Sequence, residues 1–362
     1  MRKGKKALSA AVAAALMVIG NAAHAQAQGL KLEISGQVNR AFMAADDGRK
    51  SDTFFVDNDN SGSRFRFLGS GIVIPGLKAG FLYEVEFQGN DSNLVTMPGG
   101  GVGREISPSL GERHTAVFLE GGWGKLTLGQ TDGAANGGVE VDLSGTTMAN
   151  FSGANLIGGA IAFRNSATGA FGPTITATTN NQDFESRYDV VRYDTPVFAG
   201  FRLAGSLGNK GNDDVKELAL WYSSNLGAFG QLAGALGWSG KDVAAGDDQV
   251  TGGSISWLHG SGFNVTAGLT NRELDGAATG DKKFSYLKLG YKAGKHAVSV
   301  DFGRGEDQAL AGDEADVYGV GYVYTPAPWI DLYAALKQHT LDRSVGSFEN
   351  VNILMVGSRV KF

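Results

Sequence analysis

The chain of 362 residues has no cysteine and only 7 prolines. The first absence removes the disulfide staples on which small exported domains depend, and with them any CxxC metal or redox motif. The second argues against a Pro/Gly-rich disordered polymer, although 55 residues are glycine. Beyond the N-terminus there is also no apolar run of the roughly 20 residues that a membrane helix requires. Basic charge is not in excess either: 32 Lys and Arg stand against 37 Asp and Glu, a net charge of −5. That balance excludes the basic footprint of a nucleic-acid-binding protein. An all-β chain is left, in water or in a membrane.

The first 25 residues, MRKGKKALSAAVAAALMVIGNAAHA, place four cations in the first six positions, ahead of an apolar run from Ala7 to Gly20 and the small-x-small sequence Ala23-His24-Ala25. This is the pattern of a secretory signal peptide, too short to be a membrane anchor. Residues 1–25 are therefore expected to be removed, leaving 26–362 as the working domain. Taking four cations from 32 leaves 28 basic against 37 acidic side chains, net about −9.

The rest of the chain alternates apolar and polar residues in segments of about ten. Strands are predicted near 30–43, 62–69, 78–89, 112–121, 124–130, 186–194, 200–208 and 216–225, then near 229–238, 250–259, 263–272, 283–292, 296–304, 316–324, 330–339 and 350–362. They number sixteen. Every second join is short, such as Gly121–Gly124 and Ala293–Lys295, whereas those at 44–61, 90–111, 131–185, 239–249 and 305–315 are longer and polar. Short turns at one end and long loops at the other are the habit of an outer-membrane β-barrel, and a soluble sandwich has no reason to sort its loops this way.

The stretch SRFRFLGS, residues 63–70, states the consequence for one strand. Arg64 and Arg66 alternate with Phe65 and Phe67, so a barrel strand would turn the phenylalanines to lipid and the arginines to a wet lumen. Trp123 and Trp329, both at short turns, fit an interfacial aromatic belt. Strands 112–121 and 186–194 carry charge on both parities, and their facing stays open.

SGSRFRFLGS (61–70), GLKAGFLYEVEFQGN (76–90), ERHTAVFLEGGWGKLTLGQ (112–130), RYDVVRYDTPVFAGF (187–201) and a last strand ending in Phe362 resemble, in order and spacing, the general porins of Gram-negative outer membranes. The resemblance implies a sixteen-stranded barrel and a homotrimer in outer-membrane lipid and lipopolysaccharide, passing small hydrophilic solutes and ions passively. It implies that the long third loop, 131–185, folds into the lumen, with Glu140 and Asp142 as the acidic side of a constriction. Arg64, Arg66, Arg113 and Arg187 occupy the family-like basic positions, with Lys125 as a weaker member. Arg359 and Lys361 share a parity that would also face inward. The terminal Phe362 looks like part of the signal read by the barrel assembly machinery. Gln130 stands where the family often has Arg, and Arg66 where it often has a small residue, so charge is relocated between neighbouring strands.

Rival chemistry finds little support. DNDNSG (57–62) resembles the start of an EF-hand, but its twelfth position is Leu68 rather than a bidentate Glu; an irregular calcium site on the acidic loops stays open. Ser285 with Lys288 and Ser358 with Lys361 have nucleophile–base spacing, yet residues three apart on a strand point to opposite faces. With no G-x-S-x-G or HExxH and scattered histidines, neither enzyme nor cofactor is expected. The remaining alternatives are a solute-specific channel with a saturable anion or sugar site and, further off, an outer-membrane adhesin or enzyme.

Overall fold

The computed structural model describes residues 29–244, 246–277 and 280–362; the expected signal segment lies outside them. The strands are β1 (Lys31–Asp46), β2 (Ser51–Asp57), β3 (Arg64–Ile74), β4 (Leu77–Gln88), β5 (Ser109–Gly121), β6 (Gly124–Thr131), β7 (Ala162–Arg164), β8 (Phe171–Thr174), β9 (Tyr188–Asp194) and β10 (Phe201–Lys210). Then follow β11 (Asp213–Asn225), β12 (Gln231–Val243), β13 (Gly246–Leu258), β14 (Phe263–Leu274), β15 (Lys282–Ala293), β16 (His296–Glu306), β17 (Glu314–Ala327), β18 (Ile330–Asp342) and β19 (Val351–Lys361).

All neighbours in the large sheet pair antiparallel, and β19 returns to β1 in the register Gln37↔Lys361 to Asp46↔Asn352. The sheet is therefore a closed barrel without an edge. One edge of β1 pairs β2 along its upper part (Arg40↔Asp57) and β3 along its lower part (Gln37↔Arg64). Hence β2 and β3 are two pieces of a single wall strand, and the wall has sixteen. The break is written in DNDNSG: Asn58 caps a short 3-10 turn, its side chain accepting from Asn60 N, which lifts 58–63 out of the ladder.

Period two makes this barrel inside-out relative to a water-soluble one. Leu32, Ile34, Val38, Leu220, Leu236, Ile255, Leu269, Val300 and Leu336 are exposed on the outer face, while Glu217, Ser254, Asn264, Lys288 and Asp301 are buried inside. An apolar outer band suits hydrocarbon, which cannot hydrate polar groups. Trp123 and Trp329 are exposed at the short-turn end, and Trp123 stacks on Tyr193 at 6.2 Å between centroids.

Strand boundaries differ from expectation at the long-loop end. The joins expected at 44–61, 209–215 and 239–249 shrink to tight turns, because β1 and β2, β10 and β11, and β12 and β13 run further. Their charged ends read as loop in the sequence, yet cross-strand pairing holds them in the pleat, as Lys216 with Asp242 (3.5 Å) and Lys241 with Asp248 (3.5 Å) show. The mixed parity of 112–121 has a local cause. A β-bulge sets Glu84 and Val85 opposite His114 and Glu112, so the extra residue Arg113 turns inward beside His114.

The segment 132–187 holds the small hairpin β7–β8 and a single helical turn, α1 (Ile175–Thr178). It crosses the inner wall by fixed steps: Ala134 N donates to Ser206 Oγ, Ala135 N to Glu217 Oε2, Val141 N to Ser254 Oγ and Leu143 N to Ser256 Oγ, all at 2.9–3.0 Å. Its middle then packs Ile157, Ile161 and Phe163 against Met43, Ile353 and Met355 on the inner faces of β1 and β19. Each fully buried apolar side chain contributes about 1.5–3 kcal/mol, against about 1 kcal/mol for a typical hydrogen bond. The apolar contact is thus the stronger anchor, and it occupies the β1–β2 and β17–β19 side of the interior.

Candidate functional site

The wall formed by β3, β4, β5 and β9 carries the predicted arginines. Arg64 lies 3.6 Å from Glu84 and donates to Ser61 Oγ at 2.9 Å. Arg113 donates to Glu84 at 2.8 Å and to Glu86 at 3.0 Å. Arg187, just before β9, reaches Asp132 at 3.9 Å. His114 stands between, with Nε2 4.0 Å from Glu84 and 3.9 Å from Asp132, and Nδ1 3.1 Å from Thr131 Oγ1. From the neighbouring strands Arg359 bonds Asp331 at 2.6 Å and Ser61 Oγ at 3.2 Å, while Lys361 lies 3.1 Å from Asp331. Arg64, Arg113, Arg187 and Arg359 therefore form one cluster.

Arg66 stands apart. It is exposed in the lumen and its Nε donates only to Ser35 Oγ, at 3.3 Å. Phe65 and Phe67 lie on the opposite face, in edge contact at 5.8 Å. Lys125 is further away still. Thr131 lies six residue steps along β6 from it, about 20 Å of strand, and Lys125 pairs in register with Glu120 beside the turn Gly121–Gly124.

The acids that meet the arginines come mainly from the same wall. Glu84 and Glu86 on β4 and Asp132 at the start of the long loop fill this role; KAGFLYEVEFQ alternates so that the two glutamates share a polar face, but only the bulge brings Arg113 to them. Glu140 sits on the loop and accepts from Asn181 Nδ2 at 2.9 Å. Burial raises its pKa, as burial and the nearby Glu140 together raise that of Asp183, which is held by the N–H groups of Gly137 and Val139.

Asp142, also on the loop, has a cationic partner of its own. Its carboxylate is only 3% exposed and bonds Lys288 Nζ on β15 at 2.6 Å, with Lys288 wholly buried. The parity that Asp142 shares with Glu140 did not govern it, because a buried ammonium demands a counter-charge more strongly than a wet arginine does. Next to this pair the inner wall carries Asp301, Lys337 and His339, also buried. Nothing in the sequence distinguished these three from other lumen-facing polar residues. Asp57 of DNDNSG is occupied by Arg40 (2.5 Å), Gly89 N (2.7 Å) and Asn90 N (2.9 Å), and among the described residues no group of three His, Asp or Glu side chains could hold a metal.

A closed barrel, apolar outside and charged within, with arginines clustered on one side and a loop folded against its inner wall, has the form of a pore. The family model for Gram-negative porins matches residues 7–344. The chain belongs to that family. Among solved structures, this porin is similar to the anion-selective porin from Comamonas acidovorans, with a TM-score of 0.65 and 19% identity over 92% of this chain and 100% of that one. It is also similar to OmpT of Vibrio cholerae in its trimer form (0.58, 15%, covering 92% and 100%) and to a mutant porin of Rhodopseudomonas blastica (0.56, 14%, covering 92% and 100%). No curated protein sequence matches it. The porin is thus a multi-pass protein of the outer membrane and a channel for passive diffusion of solutes.

Proposed function

We propose that Arg64, Arg66, Arg113 and Arg187 form the basic side of the constriction, with Glu140 as an acid on the loop, and that the field between them sorts hydrophilic solutes by charge. The observation that carries this reading is the clustering of the arginines on β3, β5 and the start of β9, apart from the loop's apolar contacts on β1 and β19. Arginine suits the position because its charge survives near a low-dielectric wall. Arg66 differs from the other three in that, among the described residues, no carboxylate lies at contact distance from it. The mature chain begins near Gln26 after loss of residues 1–25, and three copies associate, as the trimer form of the Vibrio cholerae protein illustrates. The channel carries out no catalysis.

Purified trimer in a planar bilayer gives stepwise conductance, and the double variant Arg64→Ala with Arg66→Ala moves the reversal potential in a salt gradient toward cations. An unchanged reversal potential would remove the arginines from the filter. No conductance steps at all would overturn the channel reading.

A further inference from the structure

Lys125 has a surrounding of its own. On the periplasmic side of the arginine cluster, the inner wall of β3–β6 and β9–β10 encloses a recess of about 440 Å³, within the roughly 300–1,000 Å³ common for small-molecule sites. One side of it is apolar where a wet lumen would favour polar groups: Phe118, Leu68, Leu82 and Ala116 line it beside Thr127 and the acids Glu120 and Asp194, with Leu68 paired to Leu82 and Leu82 to Ala116 across the strands. Lys125 Nζ lies over the Phe118 ring, 4.4 Å from its centroid. Among the described residues no carboxylate comes within 4.0 Å of that ammonium. Arg202, on the other side of the recess, reaches only Asp194 at 3.3 Å, and that carboxylate is already held by both guanidinium branches of Arg192 at 2.9 Å. Two cations with spare donors thus stand beside an aromatic and aliphatic patch in a lining that also holds Glu120 and Asp194.

We propose that this recess is a subsite for small organic carboxylates with an aromatic or aliphatic body. The carboxylate is received by Lys125 Nζ and Arg202, and the body covers Phe118 and the two leucines. A cation on one side of the ligand and apolar area under the other select jointly: an inorganic anion gains only the first, a neutral aromatic only the second. A purely structural wall would complete each cation with an acid, as Arg113 and Arg304 are completed elsewhere in this barrel. The inference rests on the channel reading and names a solute class for it.

The test is current block in a planar bilayer by phenylacetate, acetate and phenylethanol added from the periplasmic side of the trimer. Saturable block by phenylacetate at a concentration about 10-fold or more below that for acetate is expected from burial of the ring. Phenylethanol should block weakly. Lys125→Gln should raise the half-blocking concentration of phenylacetate by about 10-fold, the loss of a charge-assisted contact, and Lys125→Arg should retain it. Equal block by phenylacetate and acetate, or a Lys125→Gln channel blocked as strongly as the parent, overturns the subsite while the conductance itself leaves the channel reading standing. Absence of conductance overturns both.

Discussion

At the scale of single residues, the arginine wall owes its character to which arginines are neutralised. Arg113 is held by Glu84 and Glu86 and is mostly shielded, whereas Arg66 hangs free in the lumen. Both substitutions by alanine remove one positive charge, but only Arg113→Ala uncovers two carboxylates. The reversal potential should therefore move further toward cations in Arg113→Ala than in Arg66→Ala, and equal shifts would mean that Arg64 and His114 already satisfy the glutamates. Removing one partner from a buried ion pair costs about 3–5 kcal/mol, so this partly buried site should also lose thermal stability, by less than that. Arg64 and Arg66 were legible in SRFRFLGS because alternation alone fixes their face. Arg113 was legible only as a family-like position: a bulge adds a residue and puts charge on both parities, so the facing of its strand could not be read.

At the scale of elements, the 132–187 loop decides how much of the barrel stays open. Its apolar middle is packed against β1 and β19, and its acidic stretch is pinned by Asp142 on Lys288. Lys288→Met leaves Asp142 buried without a counter-charge, at a cost of about 3–5 kcal/mol, which exceeds what local hydrogen bonds such as that from Ser144 N return. Backbone amides around 140–150 should then exchange hydrogen faster, while the wall strands keep their protection. Combining Lys288→Met with Asp142→Asn should recover much of the slow exchange. If the single variant exchanges like the parent, the apolar contacts hold this stretch without the ion pair. The sequence marked the loop by its length and polarity, and it marked Asp142 as an acid inside it. Lys288, 146 residues further on, was one lumen-parity lysine among several.

For the whole molecule, closure is the governing event. The last residue completes it: Gly36 N donates to Phe362 O at 2.9 Å and Phe362 N to Gly36 O at 3.0 Å. A Cβ at Gly36 would stand 2.5 Å from the Phe362 ring, so the seam needs a glycine on one side and the aromatic on the other. Deleting Phe362 removes both bonds, about 2 kcal/mol together, and opens the ring's place on β1. The expected outcome is a lower fraction of chain recovered as folded barrel on refolding into detergent. A further deficit in cells over that in detergent would assign Phe362 a role in the assembly signal as well, and equal deficits would confine it to the seam.

The sequence by itself determined the class of object. Export, period two, sixteen segments and the scarcity of proline and long apolar runs are local properties of the chain, and each survives without knowledge of what touches what. Tertiary structure alone decided which charges remain available: the broken strand at 58–63, the bulge at Arg113, the burial of Lys288 beside Asp142 and the recess beneath Lys125. These depend on pairings between residues distant in sequence, and electrostatic energy depends on distance and burial rather than on order along the chain.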